Sequence, residues 1–163
     1  MAKQKQKKTN KNEESLEAGR VFLSRSALFG MLDRRIYVSD RNMLGKNSYA
    51  CVYANGGIYL NKDVYLAPKE WAYVIAHCML HLAFGHFDAE RMPGYAAEQP
   101  DGSSIWKVQC NRAIWNTACD IYITKFLWDI KFGTPVHENP VNLFQMALND
   151  ERKIYQFLME RSY

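Results

Sequence analysis

The chain has 163 residues, room for one domain of ordinary size that buries about 70% of its unfolded-chain surface. With 48% apolar and 13% aromatic residues it is too rich in core formers to stay disordered. The net charge of +4 points at first to an acidic partner, but Lys3, Lys5, Lys7, Lys8 and Lys11 supply it. The other 16 basic residues face 17 acidic ones, which leaves the body at −1. Nucleic acid is therefore expected to bind only weakly, through a lysine-rich tail with no aromatic residue to stack on a base. No apolar run reaches the ~18 residues of a membrane helix, so no membrane partner is expected. The lysines are followed by Asn12, Glu13 and Glu14 rather than by an apolar core, so the start is not read as a signal peptide. Cys51, Cys78, Cys110 and Cys119 form no CxxC pair, and reduced thiols in a cytoplasmic protein are the expectation.

In chain order, residues 1–12 read as a disordered tail and 13–163 as a single domain. From Glu13 the text turns amphipathic, with Leu16, Val21, Leu23, Ala27, Leu28, Met31 and Leu32 at roughly helical intervals, and a first helix should end near Asp33. Strand-like segments follow at Arg35 to Ser39, Ser48 to Ala54 and Ile58 to Asn61. The last two flank Asn55-Gly56-Gly57, which accepts the positive φ of a hairpin turn, and a small antiparallel sheet is predicted. Pro68 then opens a helix: proline suits the first helical position, Glu70 suits the positive end, and the apolar run from Trp71 to Phe84 continues until Gly85. Asp88 to Asp101 reads as a loop. Ser103 or Ser104 can cap a helix from about Ile105 to Asp129. A last helix from about Asp150 to Arg161, with Asn149 as its cap, places Ile154, Phe157 and Leu158 on one face. The fold class is α+β, mainly helical, with one metal-bearing helix.

Three of the four histidines, His77, His81 and His86, fall within ten residues. His77 and His81, four apart on the Pro68 helix, share one face one turn apart, which is how a helix offers two nitrogens to zinc. His86 is half a turn out of phase with His77 and can join them only if the chain bends first, which Gly85 permits. Asp120 is the only acid between Lys107 and Asp129, in apolar text where a carboxylate is costly unless paired or metal-bound. It is read either as a ligand or as the partner that orients a zinc histidine, with Asn116 one turn earlier on its face. The blander reading, packed and hydrogen-bonded histidines, fits a lone residue better than this cluster.

The ordered series Ile58-Tyr59-Leu60-Asn61, His77-Cys78-Met79-Leu80-His81-Leu82-Ala83-Phe84-Gly85-His86 and Trp115-Asn116-Thr117-Ala118-Cys119-Asp120 resembles the bacterial metallopeptidase domain that precedes a VWA-like domain. The resemblance runs from about Leu16 to Tyr155. It implies a zincin-like fold and a Zn2+ site built on His77 and His81, with His86 and Asp120 at the other polar positions. It also implies a protein substrate, or a VWA-like or AAA+ ATPase partner, expected here as a separate chain or lost. The family has His-Glu-x-x-His, whose glutamate activates the zinc-bound water. Here that position is Cys78, and loss of a general base costs about 10²–10⁴ in rate, so conventional peptidase activity is not expected. Glu70 lies ~10 Å along the helix axis from His77, too far to substitute.

Three alternatives stand beside this reading. An active zinc hydrolase would use another base; a zinc-dependent ribosomal-RNA-processing endoribonuclease family has a similar histidine pattern, with its third histidine one position later than His86. A metal-free interaction module would leave the histidines packed. A Cys78–His81 catalytic pair is the weakest of the three.

Overall fold

In a computed structural model, which describes residues 2–31, 35–39, 44, 48–94, 101, 110–137 and 150–161, four helices and three strands follow one another. These are α1 (Ala2–Ser24), β1 (Arg35–Ser39), β2 (Ala50–Val52), β3 (Gly57–Asn61), α2 (Pro68–Ala83), α3 (Arg112–Asp129) and α4 (Glu151–Glu160). The class is α+β, as the sequence predicts. The chain divides into two compact units, Met1–Leu80 with Ile130–Asn139, and His81–Asp129 with Pro140–Tyr163, so that the division falls within α2. Among the described residues no helix is long and apolar enough to cross a membrane.

In the first unit α1 begins at Ala2 rather than near Glu13 and stops at Ser24 rather than near Asp33. Its buried positions Asn12, Ser15, Leu16, Gly19 and Leu23 follow the three-and-four spacing of one helical face. Val21 and Leu28, which the periodicity assigned to the core, stay exposed. The two polar side chains on the buried face are satisfied: Asn12 Nδ2 donates to the Lys62 carbonyl at 3.2 Å and Ser15 Oγ to that of Leu66 at 2.6 Å. Gly19 lets α1 approach α2 closely, since a Cβ there would lie 2.5 Å from the Cβ of Trp71. After Ser24 tight turns take over, with Gly30 N–H donating to the Ser26 carbonyl at 2.7 Å. They bury Phe29 against Phe132, ring centroids 4.6 Å apart.

The sheet is mixed, not antiparallel as predicted. Its order is β1-β3-β2, with β2 antiparallel to β3 and β1 parallel to it. The hairpin at Asn55-Gly56-Gly57 forms as the sequence implies: Gly56 takes φ +87°, and Asn55 Oδ1 accepts from Gly57 N–H at 3.0 Å. The departure has a topological cause. The chain reverses between β1 and β2 but leaves one strand's width between them, and β3 fills that place, pairing Ile36 with Ile58 and Val38 with Leu60. Ile58 and Leu60 are fully buried, and buried Asn61 ends the strand by donating to the Ser48 carbonyl and accepting from Asp63 N–H.

Helix α2 keeps its predicted start. Pro68 is its first residue, and Glu70 Oε2 accepts from the Ala67 N–H at 2.7 Å, half of a capping box. Its other end is a Schellman motif. Gly85 N–H donates to the Leu82 carbonyl at 3.1 Å, His86 N–H to the His81 carbonyl at 3.0 Å, and Gly85 holds φ +66°.

In the second unit Asn111 caps α3, its Oδ1 accepting from Ile114 N–H at 3.2 Å. The expected cap at Ser103 or Ser104, and the helical start at Ile105, lie outside the described residues. Helix α4 is capped by Asp150, whose side chain accepts from the N–H groups of Arg152 and Lys153; Asn149 lies outside the described residues. Trp115, Ala118 and Cys119 of α3 pack with Ile154 and Tyr155 of α4. Tyr155 Oη also accepts the Asn111 N–H at 3.0 Å, tying the start of α3 to α4.

Candidate metal centre

Helix α2 is strongly helical and apolar on several sides, so two imidazoles one turn apart are held on a rigid rod. His77 and His81 are both half-buried, and Asp120 projects from the exposed side of α3. His81 Nε2 stands 3.0 Å from Asp120 Oδ1. Each of the three residues His77, His81 and Asp120 offers a ligand atom, and those atoms all lie within 4.8 Å of one another, a group that can hold a metal ion. Metal–ligand bonds of about 2.0–2.2 Å at tetrahedral angles would set the ligand atoms about 3.3 Å apart. Among the described residues this is the group of three or more such side chains close enough to share one ion.

His86 comes to the neighbourhood by the Gly85 bend but stands outside that group. Its side chain is only 2% exposed, and its Nδ1 lies 3.2 Å from His81 Nδ1. Its Nε2 lies 3.3 Å from Oε1 of Glu151, the first residue of α4, and Trp115 Nε1 donates to the His86 carbonyl at 3.1 Å. Arg91 Nη2 faces the same Glu151 oxygen at 3.7 Å. Cys78 is 6% exposed and belongs to the core, outside the group of three. Asn116 is exposed, and Glu70 is engaged in capping α2.

Sequence reasoning missed Glu151. It lies 65 residues from His86 in the chain, and its only local mark is its place in the first turn of an amphipathic helix, where an acid is common for helical reasons. The thiol of Cys119, beside Asp120, is pushed far above its usual range by burial, with the carboxylates of Glu151 and Asp120 adding to the effect. It is a neutral core group rather than a nucleophile. Burial likewise raises the Tyr122 hydroxyl, with Glu151 adding to it.

The arrangement puts two nitrogens and one carboxylate oxygen in reach of one cation, with the carboxylate open to solvent. Comparison with family models, with curated proteins and with solved structures finds no match for this chain.

Proposed function

We propose that this chain is a zinc-binding, metallopeptidase-like domain of zincin type that lacks conventional peptidase chemistry. The observation that carries the reading is the approach of His77, His81 and Asp120, whose ligand atoms lie within 4.8 Å of one another. Two imidazoles and a carboxylate are a donor set that suits zinc, with three protein ligands and one position left for water or substrate. Bound zinc would supply a Lewis acid. His77 and His81 would hold it from one face of α2, and Asp120 would bring a compensating negative charge from α3.

What speaks against ordinary proteolysis is Cys78. A buried thiol cannot take and return a proton as a carboxylate base does, and a general base is worth about 10²–10⁴ in rate. The experiment is metal analysis of the full chain purified without a histidine tag, beside a casein assay. About one zinc per chain, lost in His77→Ala and His81→Ala, with no chelator-sensitive cleavage, is the expected outcome. Zinc at background in the parent chain overturns the metal reading. Chelator-sensitive cleavage of casein overturns the inactive one.

A further inference from the structure

We propose that His86 and Glu151 are positioning residues for His81, fixing which of its ring nitrogens carries the proton and so turning Nε2 toward the cation it shares with Asp120. The inference rests on the metal-binding reading above and deepens it.

A carboxylate only accepts hydrogen bonds, so the contact between Glu151 Oε1 and His86 Nε2 at 3.3 Å places a proton on that nitrogen. When the ring is neutral, a proton on Nε2 leaves Nδ1 as its acceptor. His86 Nδ1 faces His81 Nδ1 at 3.2 Å, so with His86 in that form the proton of the contact belongs to His81. Protonated at Nδ1, His81 presents the lone pair of Nε2 on its other side, where Asp120 Oδ1 stands at 3.0 Å. A lone pair opposed to a carboxylate oxygen requires something positive between them: a metal ion when one binds, a proton otherwise.

The relay is held firmly. The His86 ring is buried among Trp115 and Phe84, centroids 6.1 and 5.7 Å away. Its backbone is fixed by the bond from its N–H to the His81 carbonyl and by the Trp115 indole on its own carbonyl. Glu151 is anchored at the start of α4, next to the capping Asp150. Outer partners of this kind orient a ligating imidazole and raise its basicity, and their loss costs about 10–100-fold in metal affinity.

The test uses the full-length, ¹⁵N-labelled chain, with and without ¹¹³Cd as the metal probe. The expected result is a His86 ring protonated at Nε2 in both states and a cadmium–nitrogen coupling at His81 Nε2. Glu151→Ala and His86→Phe, shown to be folded by circular dichroism, should bind zinc about 10–100-fold more weakly. Glu151→Gln, which keeps an acceptor oxygen, should lose less than Glu151→Ala. Cadmium coupled to Nδ1 of His81 or of His86 would overturn the proposal, because the ion would then lie on the side of His81 that faces His86 and not on the side that faces Asp120. Unchanged zinc affinity in both variants would also overturn it. If the parent chain takes up no metal, the metal-binding reading fails, and the ring of His86 still decides the positioning: a proton on Nε2 that is lost in Glu151→Ala upholds it, a proton on Nδ1 overturns it.

Discussion

Replacing Gly85 by alanine strains the turn that carries the chain from α2 to His86. Gly85 holds φ +66° as the left-handed residue of the Schellman motif, and a Cβ there would lie 3.1 Å from Cδ of Arg91. An L-residue in this region costs about 1–2 kcal/mol. The Arg91 side chain is 53% exposed and can move aside, so the contact adds little. For a chain of this size the sum lowers Tm by about 2–8 °C. Two other glycines separate the two costs. Gly56, at φ +87° with nothing within 4 Å, reports the conformational cost alone. Gly133, at φ +70°, would place a Cβ 2.9 Å from the Lys69 carbonyl oxygen and from the Tyr73 Cβ, which cannot retreat cheaply. Thermal melts and urea titrations of the three alanine variants should rank Gly133→Ala as most damaging, with Gly56→Ala and Gly85→Ala close together. A Gly133→Ala chain no worse than Gly56→Ala, or a Gly85→Ala chain that melts with the parent, would show that neither the close contact nor the positive φ carries this cost.

Two further outcomes follow from local chemistry. Asp150→Ala removes the side chain that accepts from Arg152 and Lys153 N–H, and urea unfolding should show a loss of about 0.5–2 kcal/mol; a variant as stable as the parent contradicts the cap. The Cys119 thiol has its pKa raised in the folded chain by burial, so the stability tied to the neutral thiol is fully present below about pH 9, its ordinary value, and is lost as pH rises above it. The slope is at most about 1.4 kcal/mol per pH unit. Between pH 8 and 10.5 the Tm of the parent should therefore fall more steeply than that of Cys119→Ala, and parallel profiles would contradict this.

The elements most legible in the sequence were those with local signals at both ends. Helix α2 carries Pro68, Glu70 and Gly85, each doing in the structure what its chemistry implies. Strand β1 keeps its predicted bounds, and the Asn55-Gly56-Gly57 hairpin forms. The parallel pairing of β1 was not legible, because it depends on where a later strand docks, which no local residue encodes. The end of α1 was misread because Val21, Leu28 and Met31 are apolar yet exposed, while the buried face includes the polar Asn12 and Ser15. At the site, the spacing of His77 and His81 was readable as helix geometry, and Asp120 stood out as a lone acid in apolar text. Glu151 was not readable, since its approach to His86 is a tertiary contact between the turn after α2 and the start of α4.

Titration of the metal-stripped, tag-free chain with zinc decides whether His77, His81 and Asp120 hold one metal ion. About one zinc per chain is the expected result, with binding abolished in His77→Ala and His81→Ala and weakened in Asp120→Ala. Zinc uptake that is absent in the parent chain, or equal in all four proteins, would contradict it.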